Sequence, residues 1–376
     1  MTRTTPMSAA ILRSPDAKVE VVEVGLAPPG PSEVEVAIAA AGVCHSDLHM
    51  VRGEWAHRTP VVLGHEGSGV ITALGDGVEG LEVGQHVVLS WVPSCGECRY
   101  CLAGRPAQCQ PSAEVIAAGG TLFDGTARMS VQGETCYHYL GVSSYAQRAV
   151  VPASGAIPVG NDAPLDVIAI VGCAVATGVG AVRNTAQVPP GATVAVIGCG
   201  GVGLSCVQGA RLAGASRIVA VDLLAAKLEA ASGLGATDVL DASEGDVVER
   251  LRDLVPEGLD FVFDAIGAVV TTEQAIEALG LGGAAVVVGL PPSGSRASFD
   301  PLVLGEGDRR ILGSNYGSSI PHRDIPELVD LYMDGQLDLD AMVSARRPLA
   351  DAAAALDDLS SGSPLRQLLL PNPDLL

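Results

Sequence analysis

Cys95, Cys98, Cys101 and Cys109 follow one another as Cys-x2-Cys-x2-Cys-x7-Cys. That spacing puts four thiolates on one loop, where they can close a tetrahedral zinc site without help from distant segments. Four protein ligands leave no open position, so a zinc held this way is structural. An iron–sulfur cluster, which would be brown, and reduced free thiols are the competing readings. A second set of candidate ligands is dispersed along the chain. It comprises Cys44 in Gly42-Val43-Cys44-His45-Ser46-Asp47-Leu48-His49, His65 and Glu66 in Gly64-His65-Glu66-Gly67, and Cys173 in the apolar Val171-Gly172-Cys173-Ala174. Singly, each reads as an ordinary core or structural residue. Together they supply two thiolates and an imidazole, the donor set of a catalytic zinc that keeps one position for a substrate oxygen.

A third constellation is Gly198-Cys199-Gly200-Gly201-Val202-Gly203, which follows the apolar run Val194–Ile197 and opens a helical pattern. Glycines there let the backbone turn tightly and approach a pyrophosphate, whose charge the helix N-terminus stabilises. The next strand-like run ends at Asp222, nineteen residues after Gly203. A carboxylate there accepts from both ribose hydroxyls and repels a 2′-phosphate, which points to NAD over NADP.

The elements that must carry these groups fall into two textures. Short β-type runs (Val34–Ala39, Val61–Leu63, Gly69–Leu74, His86–Trp91) split by Gly and Pro suggest a small, bent β domain, followed by the cysteine loop and a further β region ending near Pro152. Beyond Ala163 the chain alternates valine-rich strands (Thr193–Ile197, Arg217–Asp222, Phe261–Asp264, Ala284–Leu290) with helices near Leu204–Ala213, Ala225–Leu234 and Thr271–Leu279. That alternation predicts a doubly wound parallel sheet and an α/β fold. More helix (Ile325–Met333, Leu349–Leu359) and a short strand, Gln367–Leu370, close the chain. A length of 376 residues suits about two domains. With 48% hydrophobic and 17% charged residues, disorder is excluded. The net charge of −21, with Lys18 and Lys227 the only lysines, argues against nucleic acid. The absence of a long apolar run and of a signal-peptide pattern leads us to expect a cytoplasmic protein without a membrane partner, its thiols reduced. Cys136, Cys199 and Cys206 read as buried thiols without a chemical role, and His57, His86, His138 and His322 as structural or surface groups.

These motifs, in this order and spacing, resemble the zinc-dependent medium-chain alcohol dehydrogenases over essentially the whole chain. Gly64-His65-Glu66-Gly67 is similar to the family's zinc signature, the four-cysteine loop to its structural lobe, and Gly198–Gly203 to its nucleotide loop. The long stretch from Cys109 to Tyr145 looks like that of the dimeric branch. The resemblance implies a GroES-like β-rich catalytic domain (residues 1–174 and 315–376) and an inserted Rossmann domain (residues 175–314), with the active site in the cleft between them. It also implies a homodimer that pairs Ala284–Leu290 and Arg310–Ser314 across a two-fold axis. Catalytic zinc would be held by Cys44, His65 and Cys173, with Glu66 beside it, and Asp47 would orient the imidazole. Ser46 and His49 would relay the alcohol's proton to solvent. His45 would touch the coenzyme pyrophosphate, Lys227 the adenosine ribose and Arg366 a phosphate, while Thr177 and Val202 pack behind the nicotinamide. The expected pocket lining is Trp55, Trp91, Tyr139, Leu140 and Leu290, which favours medium-chain or aromatic primary alcohols. A thiol-adduct-dependent formaldehyde dehydrogenase, with glutathione or another thiol carrier, is the alternative within the family. The acid and arginine that grip glutathione in that branch align with Trp55 and Ala113, so both charges are missing here.

Overall fold

A computed structural model of the chain describes residues 4–362 and 365–376. The chain divides into two compact units: residues 1–173, 320–335 and 343–376 form the first, and residues 174–319 and 336–342 the second. The second unit thus takes in Ala174 and two longer pieces, 315–319 and 336–342, that the sequence reading placed in the catalytic domain. Residues 315–319 stay with it because the turn Tyr316–Ser318 is bound there, with Asn184 donating to the Gly317 carbonyl at 3.3 Å and Thr185 bonded to Ser318 at 2.8 Å. The segment 336–342 stays because the Gln208 side chain bonds the Asp338 backbone through both its amide groups, at 3.1 and 2.7 Å.

In the first unit, Thr5–Leu12, Glu20–Leu26, Met129–Val131, Glu134–His138 and Val61–Val62 close into a small barrel. Beside it lies a seven-stranded sheet in the order Ala156–Pro158, His86–Leu89, Gly67–Leu74, Glu33–Gly42, Arg366–Leu370 and Val343–Pro348, with Arg148–Pro152 also paired to Glu33–Gly42. Glu33–Gly42 is buried along nearly its whole length, so its small residues (AIAAAG) let neighbouring layers approach closely. The C-terminal strand sets Leu369 opposite Ala41 and Leu368 opposite Gly42, which carries the chain's end to the start of the Cys44 segment.

The second unit is a six-stranded, all-parallel sheet in the order Asp238–Asp241, Arg217–Asp222, Thr193–Ile197, Leu259–Asp264, Leu279–Val287 and Arg310–Gly313. The chain order reverses beside Thr193–Ile197, the switch point at which doubly wound sheets bind ligands. Asp238–Asp241, the helix Val247–Leu254 and Val343–Pro348 escaped the sequence reading. Leu279–Val287 is paired on both sides, so of the two runs expected to pair across a two-fold only Arg310–Gly313 lies at an edge of the sheet, a correction for the other run. Among the described residues no single helix is long and apolar enough to cross a membrane.

Candidate active site

Cys44 is the N-cap of the helix His45–Val51, and its backbone N–H donates to the Asp47 carboxylate at 3.2 Å. The same buried carboxylate accepts from the Gly64 N–H at 3.0 Å, His65 Nδ1 at 3.3 Å and the Tyr145 hydroxyl at 3.1 Å. Asp47 therefore ties together the two segments that bring Cys44 and His65, and its bond to Nδ1 turns Nε2 of His65 toward the sulfurs. Cys173 arrives from a one-turn helix, Ala169–Gly172, packed so closely on the His86–Leu89 strand that a Cβ on Gly172 would stand 2.4 Å from the Leu89 carbonyl.

The ligand atoms of Cys44, His65, Glu66 and Cys173 all lie within 4.8 Å of one another, and all four residues are buried. His65 Nε2 is buried and has no hydrogen-bond partner. An orphaned imidazole nitrogen facing two sulfurs and a carboxylate fits a zinc ion. The electrostatics agree. The Cys44 thiol is held well below its ordinary range, first by a hydrogen bond from Cys173 and against the opposing effect of burial. Cys173 is pushed up by the same bond. Burial disfavours charge on His65, but Asp47 and Cys44 outweigh it and raise its imidazole.

Glu66 also forms a buried ion pair with Arg366. The pair fits only because residue 42 is glycine, since a Cβ there would stand 1.9 Å from Glu66 Oε2. Arg366, expected at a coenzyme phosphate, is thus found with its guanidinium on Glu66 while its Nε stays buried without a partner. Ser46 lies 3.8 Å from the Cys44 sulfur. His49, one turn further on, bonds Glu54 through Nδ1 and stacks on Trp55 with centroids 4.5 Å apart. Among the described residues no hydrogen bond joins Ser46 to His49 directly. His45 is exposed at the first turn of the same helix. Tyr139, expected in the pocket lining, is buried: its hydroxyl donates to the Ser46 carbonyl at 2.8 Å and its ring stands edge-on to His65 at 5.5 Å.

The sulfurs of Cys95, Cys98, Cys101 and Cys109 also gather within 4.8 Å. Backbone N–H groups bond two of them at 3.3 Å, from Cys95 to Cys109 and from Cys98 to Cys95. Backbone donation from Cys101 lowers Cys98 to about 6, so a thiolate is available there at neutral pH.

In the second unit, Gly198 turns with φ +95° and a Cβ on Gly203 would meet the Gly198 carbonyl at 1.7 Å, so neither of these two positions tolerates a side chain. Gly200, the N-cap of the helix Gly201–Leu212, has open space where its Cβ would be, which fits the close approach of a phosphate. Val202 is the second residue of that helix. Asp222 ends its strand half-buried, accepting from the Cys199 N–H at 2.8 Å and the Leu224 N–H at 3.1 Å. Lys227 is near enough for its charge to act on Cys199. Thr177 keeps a buried hydroxyl with no hydrogen-bond partner.

The family model described as the alcohol dehydrogenase GroES-like domain matches residues 30–161, and that of the zinc-binding dehydrogenases matches residues 201–334. The chain belongs to the zinc-dependent medium-chain alcohol dehydrogenases. It is an oxidoreductase of that family, with zinc and a nicotinamide dinucleotide as cofactors. This alcohol dehydrogenase is 36% identical to a probable S-(hydroxymethyl)glutathione dehydrogenase of Schizosaccharomyces pombe, over 97% of each chain. Among solved structures, it matches an alcohol dehydrogenase zinc-binding domain protein from Burkholderia ambifaria (36% identity, TM-score 0.94, 98% and 99% coverage). It also matches benzyl alcohol dehydrogenase from Acinetobacter calcoaceticus (34% identity, TM-score 0.92, 97% and 99% coverage).

Sequence reasoning overlooked Glu54, Tyr145 and the Glu66–Arg366 pair. Only Glu54 left a signal, because Gly53 at the end of a helix announces a chain reversal that returns the next residue to the helix.

Proposed function

We propose that this dehydrogenase interconverts primary alcohols and aldehydes with NAD, using Cys44, His65 and Cys173 on a catalytic zinc with Glu66 beside it, and Cys95, Cys98, Cys101 and Cys109 on a structural one. The observation that carries the reading is the buried cluster of Cys44, His65, Glu66 and Cys173, braced by Asp47. Zinc supplies a Lewis acid for the substrate oxygen and NAD a hydride acceptor. The chain's own residues do the rest. Asp47 fixes the His65 ring, Tyr139 anchors the backbone of Ser46, and Ser46 and His49, three residues apart on one helix face, carry the alcohol's proton outward. His45 serves the coenzyme pyrophosphate, and Arg366 is held on Glu66. Gly198, Gly200, Gly201 and Gly203 receive the pyrophosphate, Asp222 and Lys227 the adenosine ribose, and Thr177 and Val202 the nicotinamide face.

For the substrate, Trp55 beside His49 and the partly buried Trp91 and Leu140 favour an aryl or medium-chain alcohol, in line with the name of the Acinetobacter neighbour. A second reading has direct support: the names of the curated relatives favour a hydroxymethyl-thiol adduct. Comparing kcat/KM for benzyl, cinnamyl and medium-chain alcohols with that for formaldehyde plus glutathione or another thiol decides between them. A higher value for the thiol adduct would overturn the aryl-alcohol reading and leave the zinc–NAD chemistry standing.

A further inference from the structure

We propose that Glu54 is a positioning residue for alcohol oxidation: its carboxylate holds His49 in the tautomer that carries hydrogen on Nδ1, leaving Nε2 with the lone pair that takes the alcohol's proton. The inference rests on the relay reading of Ser46 and His49.

The geometry begins with the end of the helix His45–Val51. Gly53 adopts φ +65°, its N–H bonds the Met50 carbonyl at 3.1 Å, and the N–H of Glu54 bonds the His49 carbonyl at 3.0 Å. This pair of bonds reverses the chain and returns residue 54 to the helix beside residue 49. The Glu54 carboxylate then meets His49 Nδ1, and the next ring, Trp55, stacks on the imidazole at an interplanar angle of 22°. A carboxylate only accepts, so Nδ1 must donate, and in a neutral imidazole Nε2 is then the acceptor. An unrestrained histidine side chain in water favours the opposite tautomer, with hydrogen on Nε2, which cannot accept a proton there. The stacked indole hinders the ring flip that would exchange the two nitrogens. The His49 and Glu54 side chains are 21% and 28% exposed, shielded enough to keep the bond and open enough to release a proton.

The proton balance is simple. The alcohol O–H breaks and its proton passes to Ser46, whose own hydroxyl proton moves on through a bridging hydroxyl or water to form an N–H bond at His49 Nε2. The resulting imidazolium stands against the Glu54 carboxylate. His49 then gives one proton to water or a buffer base for each hydride transferred to NAD.

The test uses the zinc-loaded enzyme, with the His49 ring nitrogens followed by long-range 1H–15N NMR above the histidine titration range and assigned by their loss in His49→Gln. Wild type should show hydrogen on Nδ1, and Glu54→Ala should move it to Nε2. With zinc content and melting temperature held, Glu54→Ala should lower kcat/KM for alcohol oxidation about tenfold, less than a whole acid–base group contributes, and imidazole buffer should restore part of it. Wild-type His49 with hydrogen on Nε2 overturns the proposal without any variant. So does a Glu54→Ala enzyme that keeps the wild-type tautomer, or loses it without losing rate. Wild-type kinetics in His49→Gln would instead bring down the relay itself, a failure distinct from the tautomer result.

Discussion

His65 and His49 lie on opposite sides of one question, whether a histidine binds the metal or moves the proton. His65 is buried with Nδ1 held by Asp47 and Nε2 orphaned among sulfurs, so its loss should remove the metal. His65→Ala or Cys44→Ser should abolish activity and lower zinc from about two ions per chain to about one, with no recovery in imidazole buffer. His49→Gln should keep both ions, lose about 10²-fold in kcat/KM near neutral pH, and recover in part with buffer base. Metal analysis alongside buffered kinetics separates the two, and equal rescue of both variants would contradict the assignment. Asp222 makes a similar distinction for the coenzyme. Asp222→Gly removes a carboxylate that would repel a 2′-phosphate, so the ratio of kcat/KM for NADP to that for NAD should rise at least tenfold. A wild type that already prefers NADP would refute the NAD reading.

At the scale of elements, the four-cysteine loop stands apart from the buried cluster. Its Cys95, Cys98 and Cys101 are half-exposed and its short helix Arg99–Leu102 buries none of its residues, so bound metal must supply much of its order. Cys98→Ser should lose one zinc per chain and several degrees of melting temperature while the remaining active protein keeps near-normal kcat. Unchanged stability and zinc content would show that the loop does not need the ion. The strand Glu134–His138 carries a different load. Its His138 is wholly buried, and its Nε2 accepts from the Arg128 N–H at 3.1 Å. Burial lowers it to about 3. The unfolded side chain titrates near 6.5, so below that pH the unfolded state binds a proton that the folded state refuses. Stability should therefore be intact above pH ~6.5 and fall by about 1.4 kcal/mol per pH unit on acidification toward 3. Urea unfolding at several pH values should show a flatter acid limb for His138→Gln than for wild type, and parallel limbs would remove His138 from the account.

For the whole molecule, the free edge of the parallel sheet at Arg310–Gly313 carries the expectation of a homodimer. Ile311 is exposed there, and Leu302 and Val303 of the preceding helix, Pro301–Glu306, are exposed as well. Edge strands left open in this way invite pairing with another chain. Light scattering at micromolar concentration should report twice the chain mass, and a charge placed on the edge by Ile311→Asp should shift the mass toward a single chain. A monomeric wild type would leave the edge without that role.

The sequence by itself determined the motifs whose chemistry is local. The four cysteines share one loop, and the glycines and Asp222 flank one strand–helix–strand unit, so spacing alone specifies their geometry. It also determined the period-driven elements: Thr193–Ile197 and Arg217–Asp222 match the expected bounds because buried parallel strands read as continuous valine-rich runs. Val343–Pro348 (VSARRP) carries no such pattern and becomes a strand through pairing with Arg366–Leu370. Cys44, His65 and Cys173 were nameable from family resemblance, but spacing could not bring them together, because 20 to 130 residues of chain, roughly, separate them and loop closure is a property of the fold. Only the tertiary structure decided that Arg366 lies on Glu66, because strand pairing sets Leu368 opposite Gly42 and so carries Arg366 to that end of the site, and no local rule encodes a contact 300 residues apart. It alone decided that Asp47 braces both ligand segments. The placement of Glu54 on His49 lies between these cases, since Gly53 marks the turn in the sequence but only the folded helix end shows which side chain it returns to.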